Sequence, residues 1–237
     1  MKSKLVYLLP IRSILFILIF VIGSIIVNKE LTGISNWWSI VATIVNIVTI
    51  LILLLVCKKK NISYKKLINY EKGKSTVKQV AIISFIVLLV GTWGMYLSGF
   101  IIYGKFPYAA PMMIAPIPAI LAIVNFILLP LTVSFAEDGL YLGCGVNSFK
   151  NKYVAIFVPA FFYALQHCFI PTLFDTKYII YRFLSFLPLT IILCWYYQKK
   201  KNPVPVMIGH ALIEVASVVL ILATSISPDL YQTMLNM

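Results

Sequence analysis

Apolar stretches long enough to cross a bilayer recur along the whole chain, and that recurrence leaves few folds open. About 18 or more residues with few charges reach across roughly 30 Å of hydrocarbon as a helix. In hydrocarbon every backbone polar group must find its partner within the segment, so such stretches become helices packed side by side. We read about seven spans from the apolar runs. They are Ile11 to Val27, Asn36 to Val56, Val80 to Phe100, Met112 to Gly143, Tyr153 to Pro171, Tyr178 to Tyr197 and Pro203 to Ser225. The expected fold is an all-α polytopic membrane helix bundle forming a single membrane domain over residues 1–237. With 61% hydrophobic and 11% charged residues, no room remains for a separate soluble domain.

Two of these runs need comment. Lys2 and Lys4 precede the first as in a signal peptide, but the run is long and lacks a small-residue cleavage site, so it reads as an uncleaved anchor. The fourth is too long for one upright helix. Pro111, Pro116 and Pro118 predict a broken or interfacial start before a helix forms around Ala119.

The formal net charge of +13 is distributed in a way that points away from nucleic acid. Lys2, Lys4, Arg12, the run from Lys58 to Lys78, Lys150, Lys152 and Lys199 to Lys201 fall at one set of span ends. Lys29, Lys105 and Lys177 fall at the other. The positive-inside rule then predicts an N-in, C-out orientation, and the lysine-rich segment suits anionic lipid headgroups. Lys-, Ile- and Asn-rich usage suggests a multi-pass protein of a bacterial plasma membrane. Cys57, Cys144, Cys168 and Cys194 show no C-x-x-C spacing and read as packing residues, not as a disulfide framework or thiolate site.

Ionisable groups inside spans carry the functional information, because each costs about 2.5 to 3.5 kcal/mol at mid-bilayer unless paired or hydrated. They are Glu137 and Asp138, His167, Arg182, and His210 with Glu214. At about 1.5 Å rise per residue, Glu137 lies roughly 20 Å from Lys150, and His167 roughly 22 Å from Lys152. His210 and Glu214 lie roughly 13 and 20 Å from Lys201 by the same rise. Three separate helices thus aim polar groups at one layer. His210 and Glu214 are i,i+4 and share a face, whereas Glu137 and Asp138 are about 100° apart on an α-helix. One of the two acids is expected to face the cluster and the other to pair sideways or reach water.

These motifs resemble the CAAX protease and bacteriocin-processing (CPBP, or Abi) family of intramembrane endopeptidases, which includes the type II CAAX prenyl proteases. The family pattern is E-E-x-x-x-R, then F-x-x-x-H, then H-x-x-x-N or H-x-x-x-D. This chain reads E-D-G-L-Y-L from Glu137 to Leu142, Y-A-L-Q-H from Tyr163 to His167, and H-A-L-I-E from His210 to Glu214. The resemblance covers about Ala119 to Ile226. It divides the chain into variable N-terminal helices over 1–111 and a core of CPBP type over 112–226. Asp138 stands for the second Glu, Tyr163 for Phe, Glu214 for Asn or Asp, and Leu142 for the Arg. Arg182 is the expected substitute for that missing cation.

The resemblance implies peptide hydrolysis, with Glu137, His167 and His210 as catalytic residues and Asp138 and Glu214 in support. Glu137 would activate water. The histidines would carry protons and face the oxyanion, or Glu137, His167, His210 and Glu214 would bind a divalent metal such as zinc, as in a metalloprotease. No H-E-x-x-H is present, so a zincin-type site is not expected. The substrate would be a membrane-associated peptide or protein in contact with membrane lipid, reached from the cytoplasmic side, in peptide maturation or bacteriocin self-immunity. Two other classes stay open: a catalytically inactive scaffold of the same fold that regulates partner membrane proteins, and a small carrier.

Overall fold

The computed structural model describes residues 4–235. Its α-helices in chain order are α1 (Ile11–Val27), α2 (Trp38–Lys59), the one-turn α3 (Tyr64–Leu67), α4 (Val77–Tyr103) and α5 (Ala119–Val133). After a π-helical segment, Ser134–Gly145, follow α6 (Lys152–His167), α7 (Thr176–Lys200), α8 (Val204–Ile226) and α9 (Pro228–Leu235). Among the described residues, six helical stretches are long and apolar enough to cross a membrane, and the protein is a multi-pass helical bundle.

The ends of these helices follow local chemistry. Thr76 and Gln79 close a reciprocal capping box at the start of α4, and the Asp175 carboxylate accepts from the Tyr178 amide at 2.6 Å to start α7. The fourth run begins as expected: a short 3₁₀ turn at Pro111–Met113 precedes the helix that starts at Ala119. The fifth differs from expectation. Instead of running from Tyr153 to Pro171, α6 is a 16-residue helix that stops at His167. Pro171 lacks an amide hydrogen and restricts the residue before it, so the chain turns from Cys168 onward. That early stop leaves His167 at a helix end inside the bundle.

With no hydrophobic gain from pressing one apolar helix on another in lipid, close approach depends on small residues and interhelical hydrogen bonds. Gly94 of α4 illustrates this: a methyl group built there would overlap the backbone carbonyl oxygen of Ser185 in α7. Because the obstacle is backbone, Gly94→Ala is expected to destabilise the protein by about 1–3 kcal/mol, as overpacking does. A lower unfolding midpoint in detergent would show it, and an unchanged midpoint would refute so tight a contact.

Two apolar clusters flank the middle of the bundle. Leu9, Leu53, Leu140, Leu142, Tyr197 and Val206 are buried together toward the lysine-bearing ends. Phe16, Phe20, Trp38, Leu129, Val218 and Ile221 are buried together on the other side. There the connection between α4 and α5 is fastened down. Tyr108 stacks on Tyr103 at 4.5 Å and meets Tyr181 edge-on at 5.2 Å, while the Thr224 hydroxyl donates to the Ile114 carbonyl at 2.8 Å.

Candidate active site

The two adjacent acids lie in the π-helical segment, Ser134–Gly145, where i→i+5 bonding replaces the α pattern. The hydroxyl of Tyr64 donates to the Phe135 carbonyl at 2.5 Å in its first turn. Burial, reinforced by the charge of Asp138, pushes the Tyr64 hydroxyl far above its ordinary range, so it remains a donor. Gly139 makes room for this ring, since a methyl group there would overlap the Tyr64 oxygen.

Glu137 is 3% exposed, and its Oε1 accepts from Arg12 Nη2 at 2.7 Å. Arg12 is fully buried and also bonds Asn46 Oδ1 at 2.8 Å, Thr49 Oγ1 at 3.0 Å and the Gln166 side-chain oxygen. A planar guanidinium with several fixed donors suits such a network. The second oxygen, Oε2, has no hydrogen-bond partner. It faces His167 Nε2 at 3.9 Å and His210 Nε2 at 3.8 Å. These gaps are too long for direct hydrogen bonds.

The far ring nitrogens define the state of the near ones. His167 Nδ1 lies 2.9 Å from the Tyr163 carbonyl, which only accepts, so Nδ1 carries the proton and Nε2 of the neutral ring is a bare acceptor. The ring is stacked on Phe186 at 3.7 Å. His210 Nδ1 lies 3.3 Å from Asp138 Oδ2 and 2.9 Å from the Tyr163 hydroxyl, which in turn donates to Asp138 Oδ1 at 3.1 Å. His210 therefore stands between both acids, with Asp138 behind it and Glu137 before it. Glu137 thus faces both Nε2 atoms, whereas Asp138 pairs with the Tyr163 hydroxyl and the other edge of the His210 ring.

Glu214 lines the same cavities as His167, but it makes no hydrogen bond or ion pair among the described residues. Arg182 does not take the place of the missing cation. Its Nε donates to the His167 carbonyl at 3.2 Å, and its guanidinium lies 4.7 Å from the Phe186 ring centre. Leu142 is buried in apolar surroundings, and the guanidinium on Glu137 comes from α1. On sequence alone Arg12 falls with the charges that set the topology. A usable signal did exist: the chain has 18 lysines at span ends and loops but two arginines, each within an apolar run.

The donor atoms left uncommitted are Glu137 Oε2 and the Nε2 atoms of His167 and His210, whereas Asp138 and the two Nδ1 atoms are engaged in hydrogen bonds. Among the described residues, no three His, Cys, Asp or Glu side chains are arranged to hold a metal ion.

A cavity of about 100 Å³ has Glu137, His167 and Glu214 in its wall and continues to Ala110, Met113 and Ile114 in the connection between α4 and α5. A smaller one of about 40 Å³ lies between α4, α7 and α8 beside His167 and His210. No curated protein and no solved structure matches the chain significantly. Residues 119–216, which hold both imidazoles and the acids around them, match the model of the type II CAAX prenyl endopeptidase Rce1-like family.

Proposed function

We propose that this protein is an intramembrane endopeptidase of the bacterial plasma membrane. It hydrolyses a peptide bond of a membrane-associated peptide or protein, in peptide maturation or bacteriocin self-immunity. The single observation that carries this reading is the unpartnered Glu137 Oε2 facing two imidazole Nε2 atoms at 3.8 and 3.9 Å. The family match supports it.

The proton inventory is compatible with hydrolysis. A water in that gap gives a proton to Glu137 Oε2, with His167 Nε2 accepting its second hydrogen bond, and the oxygen attacks the peptide carbonyl. The carbonyl oxygen gains negative charge. His210, when protonated on Nε2, donates to that oxyanion while Asp138 balances the imidazolium from the Nδ1 side. The proton held by Glu137 then passes to the leaving amine. Arg12 holds Glu137 in place through the other oxygen, supplying the orienting charge that Leu142 cannot. The inactive-scaffold reading draws on that loss and on Glu214 in place of Asn or Asp, and a buried cation at Glu137 weakens the first of these grounds.

Purified protein in lipid nanodiscs with a membrane-anchored peptide tests the proposal. Cleavage is expected, His167→Ala is expected to lower it by about 10²- to 10⁴-fold, and 1,10-phenanthroline to leave it unchanged. Wild-type cleavage by His167→Ala would remove the mechanism, and inhibition by the chelator would restore a metal to it.

A further inference from the structure

The two sides of the site differ in a way that bears on how a substrate reaches it. Toward the lysine-bearing ends, Leu9, Leu53, Leu140, Leu142 and Val206 are packed together and buried with less than 2% exposure each, forming an apolar plug below Glu137. A wide pocket of about 560 Å³ does lie on that face, walled by Lys60, Lys66 and Lys201, but Glu137, His167 and His210 are not in its wall. Toward the opposite face, the cavity that includes Glu137 runs past Val133 and Leu129 to Met113 and Ala109. Ala109 is exposed and Leu220, also in the wall, is 38% exposed, so this cavity meets the surface.

Resting on the endopeptidase reading above, we propose that substrate and water reach Glu137 through this apolar cavity beneath the α4–α5 connection, from the face opposite the lysine clusters. Its occupant is an extended peptide segment with uncharged, apolar side chains. Trp38, Ala42, Leu129 and Val133 offer such side chains a wall without charge. The inner end requires a polar guest. Glu137 Oε2 has no partner, and the terminal nitrogens of Arg182 make no hydrogen bond among the described residues although Arg182 lines the cavity. A peptide carries the carbonyl oxygens that such donors bind and the bond that the water activated by Glu137 attacks. A lipid acyl chain satisfies neither group. The positive-inside distribution then makes this the outer face, which reverses the cytoplasmic access expected from sequence.

Val133→Cys tests the route, because it sits one helical turn before Glu137 and changes little volume. The four native cysteines are buried, so wild type sets the background. In oriented vesicles, a membrane-impermeant methanethiosulfonate is expected to modify Val133→Cys at least 10-fold faster from the face bearing the α4–α5 connection. A membrane-anchored apolar peptide is expected to slow that reaction several-fold. Ala109→Trp, at the mouth, is expected to lower kcat/KM at least 10-fold with the unfolding midpoint unchanged. Faster modification from the lysine face overturns the proposal. So does a rate that the peptide leaves unaltered while added lipid slows it. Labelling and protection do not require hydrolysis, so an inert protein that shows both keeps this route and loses the endopeptidase reading. A cleaving protein that shows neither has the reverse outcome.

Discussion

Glu137→Gln is expected to lower kcat/KM for peptide cleavage by about 10²- to 10⁴-fold, the range that a positioned acid or base contributes. The substitution keeps the side chain's size and one carbonyl oxygen for Arg12, but an amide accepts no proton from water. The protein is also expected to lose stability, because the buried guanidinium then faces a neutral group and keeps an uncompensated charge. The two effects separate by measurement. Initial rates in nanodiscs report the chemistry, and the unfolding midpoint in detergent reports the charge. Wild-type rates in Glu137→Gln would remove Glu137 from the reaction, whatever happened to the midpoint.

Arg12→Leu is expected to be the most destabilising single change, by about 3–5 kcal/mol, the cost of breaking a buried ion pair from one side. It leaves the Glu137 carboxylate charged and alone at 3% exposure, and it strips a donor from each of Asn46, Thr49 and Gln166. The double variant Arg12→Leu with Glu137→Leu should recover much of the loss, because a buried pair replaced whole by apolar groups is often neutral. Arg12→Lys should fall between, since an ammonium keeps the charge but not the planar fork. Thermal unfolding of the four proteins checks the series. A double variant as unstable as Arg12→Leu would mean that the helix packing around Arg12, not its charge, is what matters.

Much of the bundle was legible from residue type and spacing. Apolar runs of bilayer length admit one solution for the backbone, so the helix positions followed from the runs themselves, as did the late start of α5 after its prolines. The residues of the site were legible for a related reason: an acid or imidazole inside such a run is costly enough to be conspicuous. The early end of α6 was less visible, because an apolar segment reads alike in hydropathy whether it is helical as far as Pro171 or turns at Cys168. The π turn around Glu137 was not visible at all, since one added residue per turn leaves composition unchanged.

The sequence by itself determined that this chain is a membrane helix bundle and that Glu137, Asp138, His167 and His210 are its chemically unusual residues, because hydrocarbon punishes polarity locally, residue by residue. Which partner each group meets is not a local property. Only the tertiary structure decided that α1, far away in the chain, places Arg12 on Glu137, that His210 stands between two acids, and that Arg182 turns to a backbone carbonyl instead. Contacts separated by 125 residues, as between Arg12 and Glu137, depend on how helices pack side by side, and the spacing within either helix carries no trace of it.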